Sequence, residues 1–199
     1  MKDWIILIIA CIAIYYFLGG GCAVTNRQLV QRVERNYGKE IEKICRAEKV
    51  SPNYFKALII LETSAIKPPK SRFEAHVFQA LKNVRDGKQK KYGSLTAQKL
   101  RNRPDSELKL MATSWGALQI MGYHCLELGV SIDHLKGENN LLYGVRWCKK
   151  NYGKFLDKKS FKDAFHIHNT GQVFPSYGIP QTHDFNYVGN GLAYMEMMQ

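Results

Sequence analysis

The sequence predicts an all-α, or nearly all-α, body in one domain, and three observations carry that expectation. Apolar residues recur at helical spacing along most of the chain, as in SPNYFKALIILETS from Ser51 to Ser64. Convincing runs of alternating apolar and polar residues are missing, so no strands are expected. At 199 residues and 45% hydrophobic content, the chain suffices for one sizeable core plus an appendage.

The appendage comes first. WIILIIACIAIYYFL, from Trp4 to Leu18, carries no charge, and the uncharged stretch continues to Val24, long enough to cross a bilayer. Residues 1–24 therefore read as a transmembrane anchor or a signal segment. In one version Leu18 to Cys22 is a loose lipoprotein-type cleavage site, leaving Cys22 as a lipidated first residue. Against a cleaved signal, Lys2 is offset by Asp3 at the start. Arg27, Arg32 and Arg35 beyond the segment weakly oppose export. The favoured expectation is an uncleaved anchor through residues 4–24, with the body outside the cytoplasm.

Residues 25–50 form a helical lead-in. Leu29, Val33, Ile41, Ile44 and Cys45 lie at roughly helical spacing, and a break near Gly38 suggests a pair of helices. The main body spans residues 51–199. Ser51 suits an N-cap and Pro52 the first helical position, while Pro68-Pro69 supplies a stop after Glu62, Thr63 and Ser64. Phe73, Val77, Phe78 and Leu81 would share one face of a helix from Ser71 to Leu81. Residues 84–103 are polar and basic, with Gly87 and Gly93, and read as a surface insertion or loop.

Asp105 or Ser106 can cap a short helix over SELKLMA. The stretch from Ser114 to Leu128 starts loop-like and turns helical. Leu141, Val145 and Cys148 mark a further helix, with Gly153 as its stop. Ser160, followed by Asp163, is close to a capping box for FKDAFHIHN. Residues 171–182 form a Gly/Pro-containing loop before a terminal helix over residues 186–198.

Composition narrows the partners. A net charge of +12 favours polyanions: nucleic acid, anionic lipid or an acidic wall polymer. Zinc-finger spacing, an RRM-like aromatic motif and a basic heptad region are all missing, which argues for no nucleic acid. Cys45, Cys125 and Cys148 read as small buried thiols. The six His residues form no HExxH or other tight ligand set, so no metal is expected, and no Walker-type or GxSxG motif appears. His166 and His168 should face different sides of their helix.

What remains is a set of polar residues at the ends of apolar segments: Glu62, Glu74, Ser114, Gln119, Asn169 and Tyr187. Glu62 is the most telling. At the C-terminal end of a buried helix, the negative helix end and desolvation both disfavour a charged carboxylate, which suits a general acid. The competing reading is a solvent-facing residue on a frayed helix end. An acid facing amide and hydroxyl donors is the inventory of a sugar-polymer cleft.

The order of these pieces carries a resemblance. ALIILETS, ATSWGALQIM, ENNLLYGVRWC, KDAFHIHNTG and FNYVGNGLAY together resemble the lysozyme-like superfamily of bacterial lytic transglycosylases. RFEAHVF and SWGALQIMGYH are similar to phrases of the N-acetylmuramidase family of phage endolysins and wall hydrolases. The resemblance covers roughly Ser51 to Tyr194, and SWGALQIMG is its most specific piece. It implies a lysozyme-like catalytic domain needing no cofactor. Its substrate is peptidoglycan, cut between N-acetylmuramic acid and N-acetylglucosamine.

By the same resemblance Glu62 is the catalytic acid, Gln119 and Asn169 line the cleft, and Tyr187 contacts the Glu side. Glu74 matches the Glu of the muramidase phrase, as a second carboxylate acting through water or a structural ion pair. Ser64 and Ser114 join as substrate-binding candidates. The chain departs from the pattern at Thr63, where Ser is usual, at His168 in place of Tyr, and at Ala117 in place of Leu. Three outcomes are open: a membrane-anchored hydrolase, a lytic transglycosylase within a secretion, conjugation or phage-entry machine, or an inactive wall-binding component. The anchor fits a larger membrane-spanning or virion assembly, with the catalytic domain facing the periplasm or wall.

Overall fold

The computed structural model describes residues 24–199. The anchor expected over residues 4–24 lies outside them apart from Val24, which is exposed. Among the described residues no helix is long and apolar enough to cross a membrane.

The body is mostly helical, as expected, but carries short strands the sequence did not announce. The lead-in begins with α1 (Asn26–Val33), capped by a reciprocal Thr25–Gln28 box. It passes through a π-helical turn (Glu34–Gly38) into α2 (Lys39–Glu48) without leaving helical dihedrals. The expected pair of helices is present, joined at Gly38 by this π-helical turn rather than by a loop, and the glycine also serves close packing. A Cβ there would stand 2.7 Å from Glu34 Oε2. That carboxylate is needed elsewhere: Glu34 and Glu42 both grip the buried Lys56 ammonium, at 2.7 and 2.8 Å.

Helix α3 (Pro52–Thr63) follows, with Ser51 at its N-cap and Pro52 at its first position, as the sequence foretold. Its apolar side meets Val33, Tyr37, Ile41 and Cys45 of the lead-in. Val145, Cys148 and Tyr152 of α9 (Asn140–Asp157), Phe165 of α10 (Phe161–Thr170) and Val188 of α11 (Tyr187–Met197) complete the same core. Each fully buried Leu, Ile or Phe there contributes roughly 1.5–3 kcal/mol.

A three-stranded antiparallel sheet comes next, ordered β1 (Arg72–Phe73), β4 (Thr113–Trp115), β5 (Ile120–Met121). Arg72 pairs with Ser114, and Ser114 with Met121. Strands of two or three residues are too short to show alternation, which is why the sequence hid them. Helix α4 (Ala75–Arg85) starts after β1, so Phe73 belongs to the strand and is exposed rather than on the helix face.

The basic stretch 84–103 is more than a surface loop. It holds the hairpin β2 (Lys91–Tyr92) with β3 (Leu95–Thr96), and α5 (Ala97–Leu100). Leu95 and Leu100 are fully buried in a second core with Val77, Leu81 and Leu108 of α4 and α6 (Asp105–Met111). Val84, Leu95 and Leu100, with Tyr92 packed against them, tie this lysine-rich stretch to the core.

After β5 come a 3₁₀ turn (Gly122–His124), α7 (Cys125–Leu128) and α8 (Asp133–Lys136). Helix α9 (Asn140–Asp157) runs past Gly153; the expected stop appears instead as a kink at Tyr152 (φ −142°). In α10 (Phe161–Thr170) Ser160 makes no cap bond. Its hydroxyl donates to Asp163 Oδ2 at 2.6 Å, so the capping box is not formed. Helix α11 (Tyr187–Met197) closes the chain.

Candidate active site

Glu62 sits in the last turn of α3, and the chain beyond it is held in an unusual conformation. Ser64 (φ 50°) and Ala65 (φ 54°) both adopt left-handed backbone, which costs about 1–2 kcal/mol per residue outside glycine. The lead-in helix offsets that cost. Arg32 donates to the Ser64 carbonyl (3.2 Å), Asn36 to that of Ala65 (2.8 Å) and Tyr37 to that of Ile66 (2.7 Å). All three donors lie in or beside the π-helical turn. The lead-in thus fixes the loop that leaves the candidate acid.

Glu62 opens onto a cleft of about 630 Å³, walled by the end of α3, β1, the β4–β5 hairpin and α10. Its lining includes Thr63, Arg72, Ser114, Gln119, His168 and Asn169. A second chamber of about 570 Å³ shares Gln119, Met121, His168 and Asn169 with it and adds Tyr92, Tyr123 and Trp147. Aromatic faces beside amides form a surface suited to sugar rings.

The Glu62 side chain is only 18% exposed. The Tyr187 hydroxyl, from the start of α11, donates to its Oε1. Burial, then the nearby Glu62 carboxylate, pushes the Tyr187 phenol well above the usual range, so it remains a donor. On the same oxygen, His168 Nε2 stands 3.7 Å away.

SWGALQIM now has a physical reading. Ser114 and Trp115 end β4, Gly116 (φ 72°) turns the chain, Ala117 and Leu118 dip into the core, and Ile120-Met121 returns as β5. The Gly116 turn lies against Asn140, whose Oδ1 accepts from the Ala117 N–H at 3.1 Å; a Cβ on Gly116 would meet that oxygen at 2.6 Å. Gln119 is left-handed (φ 49°), which aims its amide at the cleft wall. Its Oε1 accepts from Ser114 (2.8 Å), while Nε2 donates to the carbonyls of Lys70 and Gly116 (2.9 Å each). With both donors used, one carbonyl lone pair is left for a ligand donor. Asn169 is exposed at the cleft and offers a whole amide.

Four of the seven expected site residues line this cleft, Glu62, Ser114, Gln119 and Asn169, and Tyr187 stands behind Glu62. The other two do not line it. Ser64 caps α3, its carbonyl taken by Arg32; Thr63 lines the wall in its place. Glu74 follows β1 with Arg72 Nε 2.6 Å from its Oε1 and His76 Nδ1 3.7 Å from its Oε2. The Arg72 approach is close but not aligned as a hydrogen bond, leaving Oε1 buried without one. Its charge is felt at Tyr92, whose phenol is raised by burial and then by Glu74.

His168 is the residue that sequence reasoning passed over, noted only as a departure where Tyr is usual. The two histidines do face different sides. His166 Nε2 accepts from the Gln181 N–H (3.0 Å) and its Nδ1 lies 2.7 Å from the Gln172 carbonyl, tying down the loop after α10.

Burial pushes the His168 imidazole below the usual histidine range, against the pull of Glu62. The unfolded chain then takes up the proton more readily than the folded one. This contribution to stability is present above about pH 6.5 and is lost as pH falls toward the depressed value. The melting temperature of wild type should therefore fall more between about pH 7.5 and 5 than that of His168→Gln. Equal falls would count against a neutral buried imidazole.

The Cys45, Cys125 and Cys148 thiols are free and buried, with Cys45 pushed up to about 12 by desolvation. Among the described residues no group of three or more His, Cys, Asp or Glu could hold a metal ion. Comparison with family models, curated proteins and solved structures finds no match for this chain.

Proposed function

We propose that this chain is a membrane-tethered peptidoglycan hydrolase with a lysozyme-like catalytic domain over residues 51–199. It cuts the glycan strand between N-acetylmuramic acid and N-acetylglucosamine. One observation carries the reading: a single carboxylate, Glu62, gripped by Tyr187, opens onto a polar cleft with Ser114, Gln119 and Asn169. Glu62 protonates the leaving glycosidic oxygen as an oxocarbenium-like centre develops on the muramic sugar. In the hydrolytic route Glu74 holds the attacking water. Inversion through water needs roughly 6.5–9.5 Å between the two carboxyl groups. The +12 charge concentrates the enzyme on an anionic wall, and a tether through residues 4–24 suits a local cut made for a larger membrane or virion machine.

A second reading, a lytic transglycosylase, is favoured by the position of Glu74 outside the main cleft lining and against Arg72. There the muramic 6-hydroxyl attacks within the sugar and yields an anhydro product.

Mass analysis of muropeptides released by the purified full chain decides between them. Under the hydrolytic reading the products carry a reducing muramic end, and Glu74→Gln lowers cleavage by about 10-fold or more. Anhydro products from a fully active Glu74→Gln would instead establish the transglycosylase. Wall binding with no released sugar would leave an inactive binding component and sink both.

A further inference from the structure

Behind Glu62 runs a chain of buried donors. Tyr54 Oη–H donates to Tyr152 Oη at 3.2 Å, and Tyr152 Oη lies 2.9 Å from His168 Nδ1. Each hydroxyl has one proton. Among the described residues Tyr152 is the one hydrogen-bond partner of the buried Tyr54 hydroxyl, and the arrangement that leaves no buried hydroxyl hydrogen unpaired puts the Tyr54 proton on Tyr152 and the Tyr152 proton on Nδ1. Nδ1 is then the acceptor, and a neutral ring carries its hydrogen on Nε2, the atom facing Glu62 Oε1 at 3.7 Å.

We infer that His168 is a positioning residue for the acid: its neutral Nε2–H faces Oε1 from just beyond hydrogen-bond reach, and together with the Tyr187 hydroxyl bonded to that atom it leaves Oε2 as the oxygen turned to the substrate. An oxygen that already accepts from Tyr187 and has the imidazole edge 3.7 Å away is the crowded one of the pair. Transfer therefore starts from one defined oxygen, which fixes the line of approach to the substrate. The surroundings keep the ring neutral. It is only 5% exposed and sees Glu62 from α3, the Cys148 thiol (3.8 Å from Nδ1) and Tyr152 from α9, the Leu118 carbonyl from the hairpin, and His124 from the 3₁₀ turn. The kink of α9 falls at Tyr152 itself, the residue whose hydroxyl reaches His168.

The catalytic part of this inference rests on Glu62 being the acid, whereas the tautomer does not, so two measurements separate them. Imidazole nitrogen NMR of the histidine-labelled full chain, assigned against His168→Gln, should show His168 neutral and protonated on Nε2 at about pH 7. Tyr152→Phe, which removes the donor to Nδ1, should shift it to a mixture of tautomers. An Nδ1-protonated ring, or an imidazolium at that pH, would overturn the inference whatever the activity. Cleavage kinetics on soluble glycan strands supply the other arm. His168→Leu should lower turnover about 10-fold at nearly constant KM, with a displaced acid limb in the pH profile. His168→Gln keeps an N–H donor and should recover most of the loss. Equal losses in both variants, or an unmoved pH profile, would make His168 merely structural. If Glu62→Gln stays active, the acid assignment fails while the NMR result still decides the network.

Discussion

Glu62→Gln is expected to lower wall cleavage by at least about 100-fold, the usual scale for loss of a general acid, with folding nearly unchanged. The amide has the shape of the carboxyl, and its carbonyl oxygen can still accept from Tyr187. Nothing of the α3 core is disturbed, since Leu58 and Ile59 stay in place. What disappears is the ionisable group at the cleft wall. Glu62→Asp makes a second point: it keeps the ionisable group but withdraws it by one methylene from Tyr187 and the cleft, so it too should lose most activity. Turbidity loss of purified wall, with circular dichroism as the folding control, provides the measurement. Near-native lysis by the Gln variant would sink the mechanism.

The sequence was informative where local chemistry decides. Ser51 and Pro52 started α3 where expected, and Glu62 lies at its far end. The burial of Phe55, Leu58 and Ile59 followed from the unbroken apolar run. It was silent where tertiary context decides. Gly38 reads as a helix breaker, yet it stays helical because Glu34 needs the space beside it to reach Lys56. Gly153 reads as a stop, yet α9 continues because burial of Tyr152 and Leu156 holds both sides of the kink.

The site shows the same division. Gln119 could be named from its motif, but not the left-handed backbone that aims it, nor the three internal bonds that leave it one lone pair. Glu74 could be named from its phrase, but its ion pair with Arg72, two residues before it on a strand, depended on a sheet too short to read. The role of His168 was not legible because Tyr152, which reaches it, and Tyr54 behind Tyr152 lie on distant stretches of the chain. No local pattern encodes a buried chain assembled from three helices.

The largest effect on stability is expected where α10 and α11 touch. Phe165 is fully buried, its ring 4.6 Å from that of Tyr54, and it lies directly beneath Gly191. Phe165→Ala should cost about 3–5 kcal/mol through lost burial and the cavity left behind. The opposite change is also costly. A methyl on Gly191 would stand 2.9 Å from the Phe165 ring, and Gly191→Ala should cost about 1–3 kcal/mol by forcing α11 outward. Because α11 begins with Tyr187, that displacement should loosen its grip on Glu62 and reduce cleavage as well. The two changes compete for one space, so their costs should not add. In Phe165→Ala/Gly191→Ala the new methyl enters the cavity, and the double variant should be more stable than the summed single costs by roughly 1–2 kcal/mol. Urea unfolding of the four proteins gives this coupling directly. Strict additivity would mean that α11 packs on α10 without the close approach at Gly191, and the glycine would then have no steric reason to be there.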